Sequence, residues 1–363
     1  MDKNNGAIYD ARKLGKPKMI ILGIQHMFAM FGATILVPII TGLDISTTLL
    51  MAGLGTLLFH CITKFKVPAF LGSSFAFLGG YAAIKALAPD DPNSMLPYAC
   101  LGVACAGLVY FILAAIIKAV GIDKVMRFFP PVVTGPIIIA IGLGLAPSAV
   151  SNCTTNWLLA VVALAVIVVF NIWGKGMAKI IPIILGLLIS YGVGLVLYFI
   201  SQANPDLIQN VPWLFSGGAD ANGVYQPIFD FTSVNTICDN IAKGNIFGSE
   251  GLIGIPIHWE KTVFGGIDYS NTALIASSII AIVPIAFATM MEHIGDICAI
   301  GSTTGNNYIQ DPGLHRTLTG DGIATTVASL FGGPANTTYG ENTGVLALTK
   351  VYDPRVIRIA AFF

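Results

Sequence analysis

The chain has 363 residues, of which 55% are hydrophobic and only 10% are charged, and its mean hydropathy is +0.78. A soluble globular protein carries roughly a quarter charged residues, so this composition indicates a polytopic membrane protein. The formal net charge is zero and the basic residues are scattered, which excludes the basic patch of a nucleic-acid-binding protein.

Apolar segments long enough to cross a bilayer as helices recur along the whole chain. The predicted spans are residues 19 to 41, 47 to 63, 67 to 87, 97 to 117, 131 to 147, 157 to 173, 180 to 201, 272 to 297, 319 to 333 and 337 to 352. The polar stretch 1 to 18 is interpreted as a retained cytoplasmic tail. The long polar stretch 202 to 271 is interpreted as a solvated extracellular loop with some short structure.

The distribution of positive charge supports this order of spans, because cytoplasmic loops carry an excess of Lys and Arg. With the N-terminus inside, only Lys85, Lys243 and Lys261 fall in predicted outer segments, and the other 16 of the 19 basic residues fall inside. The sequence therefore predicts a multi-pass protein of the cell membrane with a cytoplasmic N-terminus.

The sequence contains no pattern typical of a metal site or of an enzyme. The six cysteines form no C-x-x-C pair and are expected to be free thiols, although a pairing of Cys153 with Cys238 in the outer segments stays open. The five histidines do not group with a nucleophile and a base. We expect neither a metal, nor a cofactor, nor enzymatic activity.

Three acidic residues fall within predicted spans and away from their ends, where a charged side chain is costly unless it faces protein or water. Glu292 and Asp296 are four residues apart and would share one helix face, and Glu341 opens an apolar run. Burial and a neighbouring like charge both favour the protonated form of a carboxyl group. These acids are therefore candidates for proton coupling, although Asp296 alternatively marks the inner end of a helix. His293 is expected to be a hydrogen-bonded packing residue.

Two predicted spans are interrupted in the same way, "VPAFLGSSFAFLGG" (67 to 80) and "GPANTTYGENTGV" (333 to 345). Each has Pro-Ala, a short β-prone stretch, a glycine, small polar residues and then an apolar helical run. Matching breaks in two halves of a chain are typical of inverted-repeat transporters, which bind substrate at the N-termini of the half-helices. Phe75 and Tyr339 would offer aromatic faces to a flat heterocycle, with ordinary packing as the alternative for either ring.

Six motifs carry a resemblance to a known family. They are "IQHMFAMFGATILVP" (24 to 38), "PAFLGSSFAF" (68 to 77), "MEHIGD" (291 to 296), "DPGLHR" (311 to 316), "TTYGEN" (337 to 342) and "ENTGVLALTK" (341 to 350). The last motif fits the signature E/Q-N-x-G-x-x-x-x-T-K/R. The chain therefore resembles the nucleobase/ascorbate (xanthine/uracil permease) family over all of its length except the long outer loop.

The resemblance implies an all-α polytopic membrane fold of fourteen spans in two inverted repeats of seven, with short β-strands in the two broken spans. On that plan, residues 1 to 18 are the cytoplasmic tail and 19 to 201 the first repeat, with core spans 1 to 4 and gate spans 5 to 7. Residues 202 to 271 are the extracellular loop, and 272 to 363 an incomplete second repeat with spans 8 to 10 and the start of span 11. The chain is therefore expected to cover about ten spans of a longer protein.

The resemblance also implies the residues that bind substrate. Glu292 is expected to bind the N–H and carbonyl edge of a pyrimidine, with Glu341 as its partner and Phe75 as the stacking ring. The remaining contacts are expected from the backbones of Ala33, Ser74, Tyr339 and Gly340. Acid at the first signature position resembles the uracil branch of the family. Asp296, however, stands where that branch typically has His and purine-specific relatives often have Asp.

These observations lead to the expectation of uracil import by proton symport through alternating access. A xanthine or urate symporter is the alternative within the family, and Na⁺ the alternative coupling ion. An anion channel or exchanger is disfavoured, because the candidate site holds three acids and no cation. The expected partners are the nucleobase and the lipid bilayer, and the resemblance implies a homodimer.

Overall fold

The computed structural model describes residues 7 to 121, 150 to 175, 182 to 220, 222 to 242 and 256 to 363, with isolated positions between these ranges. Internal contacts divide the chain into two compact units. One comprises Met1–Ile141 with Ile257–Phe363, and the other Gly142–Pro256. The predicted span 131 to 147 lies mostly outside the described residues.

The described residues are mainly helical. In chain order the helices are α1 (Lys16–Thr41), α2 (Ile45–Ile62), α3 (Leu78–Lys85), α4 (Leu96–Val120), α5 (Trp157–Trp173), α6 (Pro182–Ala203), α7 (Asp206–Asn210), α8 (Pro212–Phe215), α9 (Thr232–Ala242), α10 (Val263–Gly266), α11 (Thr272–Ile282), α12 (Ile285–Thr304), α13 (Leu314–Leu330), α14 (Glu341–Thr349) and α15 (Pro354–Phe362). The strands are β1 (Leu71–Ser73), β2 (Ser216–Ala219), β3 (Tyr225–Pro227) and β4 (Asn336–Thr338). Short 3-10 turns cover Ala11–Leu14, Phe75–Phe77, Pro92–Met95 and Trp259–Lys261, and a π-turn covers Ile309–Gly313.

Several helices are long and apolar enough to cross a membrane, as the sequence predicts. Within the described residues these runs are Lys16–Thr41, Ile45–Ile62, Pro92–Val120, Leu185–Ala203 and Thr272–Thr304. The last run combines α11 and α12 across a turn at Pro284, and it ends at Thr304 rather than at the predicted residue 297. The prediction of a helical polytopic membrane protein with short strands in its broken spans is confirmed.

Local signals in the sequence explain where α1 and α2 meet. Gly42 follows α1 in the left-handed conformation (φ 86°) and donates its N–H to the carbonyl of Pro38 at 2.8 Å. A left-handed glycine is a common way to end a helix. Asp44 then caps α2, because its carboxylate accepts the N–H of Thr47 at 2.7 Å. A tight corner therefore joins two consecutive spans.

Glycines allow α4 and α13 to pack closely in the first unit. A Cβ added to Gly322 would lie 2.7 Å from the carbonyl oxygen of Gly107, and one added to Gly107 would lie 2.8 Å from that of Gly322. Both distances are shorter than real Cβ contacts allow. Small residues at such crossings let membrane helices approach and gain dispersion contacts. This packing places α13, and Asp321 within it, in the interior of the unit.

The second unit is built on α5 and α6, which pack against each other. Asn156 caps α5 by accepting the N–H of Leu159, and it also donates to the carbonyl of Ser216 at 2.9 Å.

The predicted outer loop, 202 to 271, contains α7 to α10 and the antiparallel β2–β3 hairpin, so it holds short structure as expected. All six cysteines, including Cys153 and Cys238, are free thiols.

Candidate substrate-binding site

The two interrupted spans meet as a short antiparallel ladder inside the first unit. Leu71, Gly72 and Ser73 of β1 pair with Thr338, Thr337 and Asn336 of β4. All six residues are buried. Backbone bonds at both ends continue the pairing, since the N–H of Tyr339 donates to Phe70 and that of Ser74 to Ala335, each at 2.9 Å. Each interrupted segment is thus a strand followed by a helix, as its sequence predicts.

The outer edge of β1 is satisfied by side chains of α2. A two-stranded ladder leaves one edge of each strand unpaired, and membrane interiors offer no water to bind it. The Leu71 N–H donates to Thr56 Oγ1 at 3.0 Å, and the Thr56 hydroxyl contacts the Leu71 carbonyl at 3.3 Å. His60 Nε2 lies 2.9 Å from the carbonyl of Ala69. Neutral polar groups therefore complete this strand.

The outer edge of β4 is satisfied by α13, and here a carboxylate takes part. Thr325 donates its hydroxyl to the carbonyl of Asn336 at 3.0 Å. The N–H of Thr338 donates to Asp321 Oδ1 at 2.9 Å. Asp321 Oδ2 lies 3.3 Å from His293 Nδ1, which also contacts Thr338 Oγ1 at 3.0 Å. His293 is thus a hydrogen-bonded interior residue, in agreement with the sequence prediction.

Asp321 is a residue that sequence reasoning missed. The predicted span began at residue 319, which put Asp321 at a span end, and this placement is wrong. Helix α13 begins at Leu314, and Asp321 is fully buried within it. The available signal was the pattern Gly-Asp-Gly at 320 to 322, since an acid between glycines in an apolar run is expected to face close-packed backbone.

The ring of Tyr339 lies across β1 and fills the space above Gly72. A Cβ on Gly72 would lie 2.6 Å from this ring and 2.7 Å from Thr34 Oγ1. The Tyr339 hydroxyl donates to the carbonyl of Ser73 at 2.8 Å, and Ser73 Oγ donates to that of Thr34 at 2.6 Å. Only 5% of Tyr339 is exposed. Its ring therefore packs within the ladder, the alternative that the sequence left open, while its backbone stays a candidate ligand contact.

The acids of α12 lie beside the start of α14. Glu292 and Asp296 are both partly buried. A Cβ on Gly340, the N-cap of α14, would lie 2.9 Å from Asp296 Oδ1. Oδ2 of Asp296 is buried and has no hydrogen-bond partner in the described part of the chain. A carboxylate at a helix N-terminus is stabilised by the free N–H groups and the helix dipole.

The remaining predicted residues surround the same crossing. Glu341 opens α14 and is exposed. Phe75 is partly buried and begins the 3-10 turn that contacts α12. Ser74 is 4% exposed, and its hydroxyl has no partner among the described residues. Ala33 packs against the cluster that contains Tyr339. The structure thus brings the predicted residues to one place, and their roles toward a ligand stay predictions.

The crossing offers several carboxyl groups that can form hydrogen bonds with a small polar ligand. Glu292 and Asp296 lie within electrostatic range of each other, and each is also within range of Asp321 and Glu341. Ionised carboxylates only accept hydrogen bonds, whereas protonated ones also donate. Among the described residues, no group of three His, Cys, Asp or Glu side chains is arranged to hold a metal ion.

Comparisons with known proteins show the family of the chain and agree with this fold. A family profile described as "Permease family", for xanthine and uracil permeases, matches residues 17–363. The chain is 38% identical over 351 residues to the uracil permease of Bacillus caldolyticus, covering 94% of this chain and 69% of that protein. It is 36% identical over 360 residues to a probable uracil permease of Haemophilus influenzae, covering 97% of this chain and 73% of that protein.

A solved structure shares the fold. The transmembrane domain of the cyanobacterial bicarbonate transporter BicA aligns with a TM-score of 0.53 and covers 97% of this chain and 82% of that domain. The sequence identity is 14%, so this likeness concerns the architecture alone.

Proposed function

Because this chain belongs to the xanthine/uracil permease family, we propose that it imports uracil across the cell membrane by proton symport. The observation that carries the proposal is the β1–β4 crossing, where carboxyl groups meet the N-terminus of α14 in the interior of a membrane unit. Relatives named uracil permeases support the substrate. The protein acts as a transporter rather than as an enzyme, and no cofactor takes part.

Each candidate residue has a physical role in this proposal. Glu292 accepts a hydrogen bond from an N–H of the pyrimidine, and Glu341 is its partner from the second broken span. Phe75 stacks on the ring. The backbones of Ala33, Ser74, Tyr339 and Gly340 bind the remaining polar atoms, and the N-terminus of α14 favours the carbonyl oxygens.

The carboxyl groups of the site would couple proton transport to uracil transport. A proton and uracil are transported together if each binds more tightly when the other is present, and this coupling free energy is reciprocal. Protonation of Glu292, Asp296 or Glu341 changes which hydrogen bonds that acid offers to uracil. Alternating access then carries both to the inner side. The protein works as a homodimer in the plasma membrane, with its N-terminus in the cytoplasm.

The proposal is tested by uptake of radiolabelled uracil into cells that lack their own permease, with and without a proton uncoupler. We expect uptake that the uncoupler abolishes and that removal of Na⁺ leaves unchanged. Glu292→Gln is expected to nearly abolish uracil binding, because hydrogen bonds to charged groups are the strongest that the site offers. Glu260→Gln, at an exposed acid, is the matched control. Unchanged binding by Glu292→Gln contradicts the assigned role.

The second candidate substrate is a purine, favoured by Asp296, which stands where the resemblance places Asp in purine-specific relatives. Excess unlabelled xanthine or urate, added during uracil uptake, separates the two. Uracil specificity predicts no competition by either purine. Purine specificity predicts that labelled xanthine enters and labelled uracil does not.

A further inference from the structure

The N-terminal residues 8 to 11, hereafter the strap, are bonded to the segment that follows α14. Ile8 pairs with Val351 in a parallel bridge. The Ile8 N–H donates to the carbonyl of Lys350 at 2.8 Å, and the Tyr352 N–H donates to the carbonyl of Ile8 at 2.8 Å. Lys350 adopts the left-handed conformation (φ 55°) that ends α14. The strap therefore holds the turn at the C-terminal end of the helix that begins with Glu341.

The next residue of the strap reaches a second helix. The Tyr9 hydroxyl donates to the carbonyl of Thr304 at 2.7 Å. Thr304 is the last residue of α12, the helix that carries Glu292. The Tyr9 ring also packs edge-on against Tyr352, with 5.5 Å between centroids. Two consecutive residues, Ile8 and Tyr9, thus join the ends of α14 and α12.

A buried carboxylate anchors the other end of the strap. Asp353 is 4% exposed, and its Oδ2 accepts the N–H of Ala11 at 2.8 Å. Its Oδ1 accepts the N–H of Arg355 at 2.9 Å and so caps α15. Arg355 in turn donates to Asp10 Oδ1 at 3.2 Å. Beneath these bonds, Ala11 and Val351 form part of a small buried apolar cluster. The strap is therefore fixed by charge, backbone pairing and packing together.

We propose that the strap is a positioning element that sets the relative placement of α12 and α14, and thereby of Glu292 and Glu341. This inference rests on the proposed function, because it concerns the acids of the same site. Helix α14 has 9 residues, fewer than an isolated helix needs to be stable, so its orientation depends on what holds its ends. At its N-terminus are the ladder and Gly340. At its C-terminus is the strap, which also holds α12.

The test uses two strap variants and one control in the full chain. Tyr9→Phe removes the hydroxyl bond to Thr304 and keeps the ring, and Ile8→Pro removes the N–H that binds Lys350. Lys13→Gln is the control, because Lys13 is exposed, lies just outside the strap, and its side chain makes no hydrogen bond to α12 or α14 among the described residues. Amide hydrogen exchange is measured first without uracil, followed by the Kd for uracil and by uptake kinetics.

We expect exchange at the last turns of α12 and α14 to quicken about fivefold in the strap variants, since each loses one hydrogen bond. The Kd and the KM for uracil are expected to rise about threefold to tenfold, with Vmax per inserted protein little changed. The control should match the wild type throughout. A defect in folding alone would instead lower the amount of inserted protein and leave KM unchanged.

If amide exchange in Tyr9→Phe is unchanged, the strap does not hold the ends of α12 and α14. If exchange is quicker but the Kd for uracil is unchanged, the strap does not position the acids of the site. Tyr9→Phe decides the matter even if Ile8→Pro fails to fold. If the wild type binds no uracil, the proposed function fails instead. In that case, quicker amide exchange in both variants would still show that the strap joins α12 to α14. Unchanged exchange would contradict that structural role as well.

Discussion

The two broken spans share a backbone plan and differ in what they bring to the crossing. After β1 the chain passes through Ser74 and a 3-10 turn that begins at Phe75, so the first half-helix starts with an aromatic ring. After β4 it passes Gly340 directly into α14, which starts with Glu341. The first half-helix contributes a ring and the second a charge. The proposed binding of uracil uses both groups, the ring of Phe75 for stacking and the carboxyl group of Glu341 for the polar edge.

The side chains that complete the outer edges of the two strands also differ, one being neutral and the other acidic. Thr56, a neutral hydroxyl, completes β1, whereas the carboxylate of Asp321 completes β4 and also contacts His293. A hydrogen bond between neutral groups contributes about 1 kcal/mol, whereas one to a carboxylate contributes about 1.5 to 3 kcal/mol. The support of β4 is therefore the stronger of the two, and its loss should be more damaging.

The largest expected effect comes from Asp321→Ala. This change leaves the buried Thr338 N–H without its acceptor and removes the carboxylate beside His293, which keeps its contact with Thr338 Oγ1, so it should lower the free energy of unfolding by about 3 kcal/mol. Thr56→Val, the matched change at β1, should cost about 1 to 2 kcal/mol. Unfolding of both purified variants in detergent gives the comparison. Equal losses would contradict the difference between the two supports.

The next largest effects are expected from alanine substitutions at two glycines of the crossing, Gly72 and Gly340, and they should differ in kind. Gly72→Ala forces a Cβ against the Tyr339 ring and Thr34, and overpacking of this kind costs about 1 to 3 kcal/mol. Gly340→Ala meets only the Asp296 carboxylate, which is able to turn away, so it should cost less stability and instead weaken uracil uptake. Thermal unfolding and uptake are measured on both. Greater instability of Gly340→Ala would refute this ordering.

A smaller effect is expected for Tyr339→Phe. The change removes the hydroxyl bond to Ser73 and keeps the ring over Gly72, so it should cost about 1 kcal/mol. If the ring only packs, uracil affinity should stay close to that of the wild type. A large loss of affinity with intact stability would mean that the Tyr339 hydroxyl contacts the ligand.

The smallest effect is expected at Asp10 of the strap and concerns pH. The Arg12 guanidinium beside Asp10 lowers the pKa of that carboxyl group from 3.8 to about 2. A carboxyl group with a lowered folded pKa adds stability above its unfolded value and loses it as the pH falls toward the folded value. The Tm difference between wild type and Asp10→Asn should thus be constant at neutral pH and vanish between pH 3.8 and about 2. A difference that disappears near neutral pH would contradict this account.

The sequence alone identified both broken spans, because Pro, Gly and small polar residues interrupt apolar runs that are otherwise of spanning length. It also identified Glu292, Asp296 and Glu341, since an ionisable residue inside an apolar run is rare and costly. Asp321 escaped notice because helix boundaries are the least certain part of such reasoning, and an error of five residues moved it from the helix interior to a predicted end.

Composition and hydropathy determined the membrane class, and the local pattern of turn residues determined where the spans break. Only the tertiary structure decided that β1 pairs with β4, that Asp296 lies against Gly340, and that residues 8 to 11 join the ends of α12 and α14. The physical reason is distance along the chain. Local propensities and apolar periodicity act within a few residues, whereas the bond from Tyr9 to Thr304 joins residues 295 positions apart. Such contacts depend on how all the intervening helices pack.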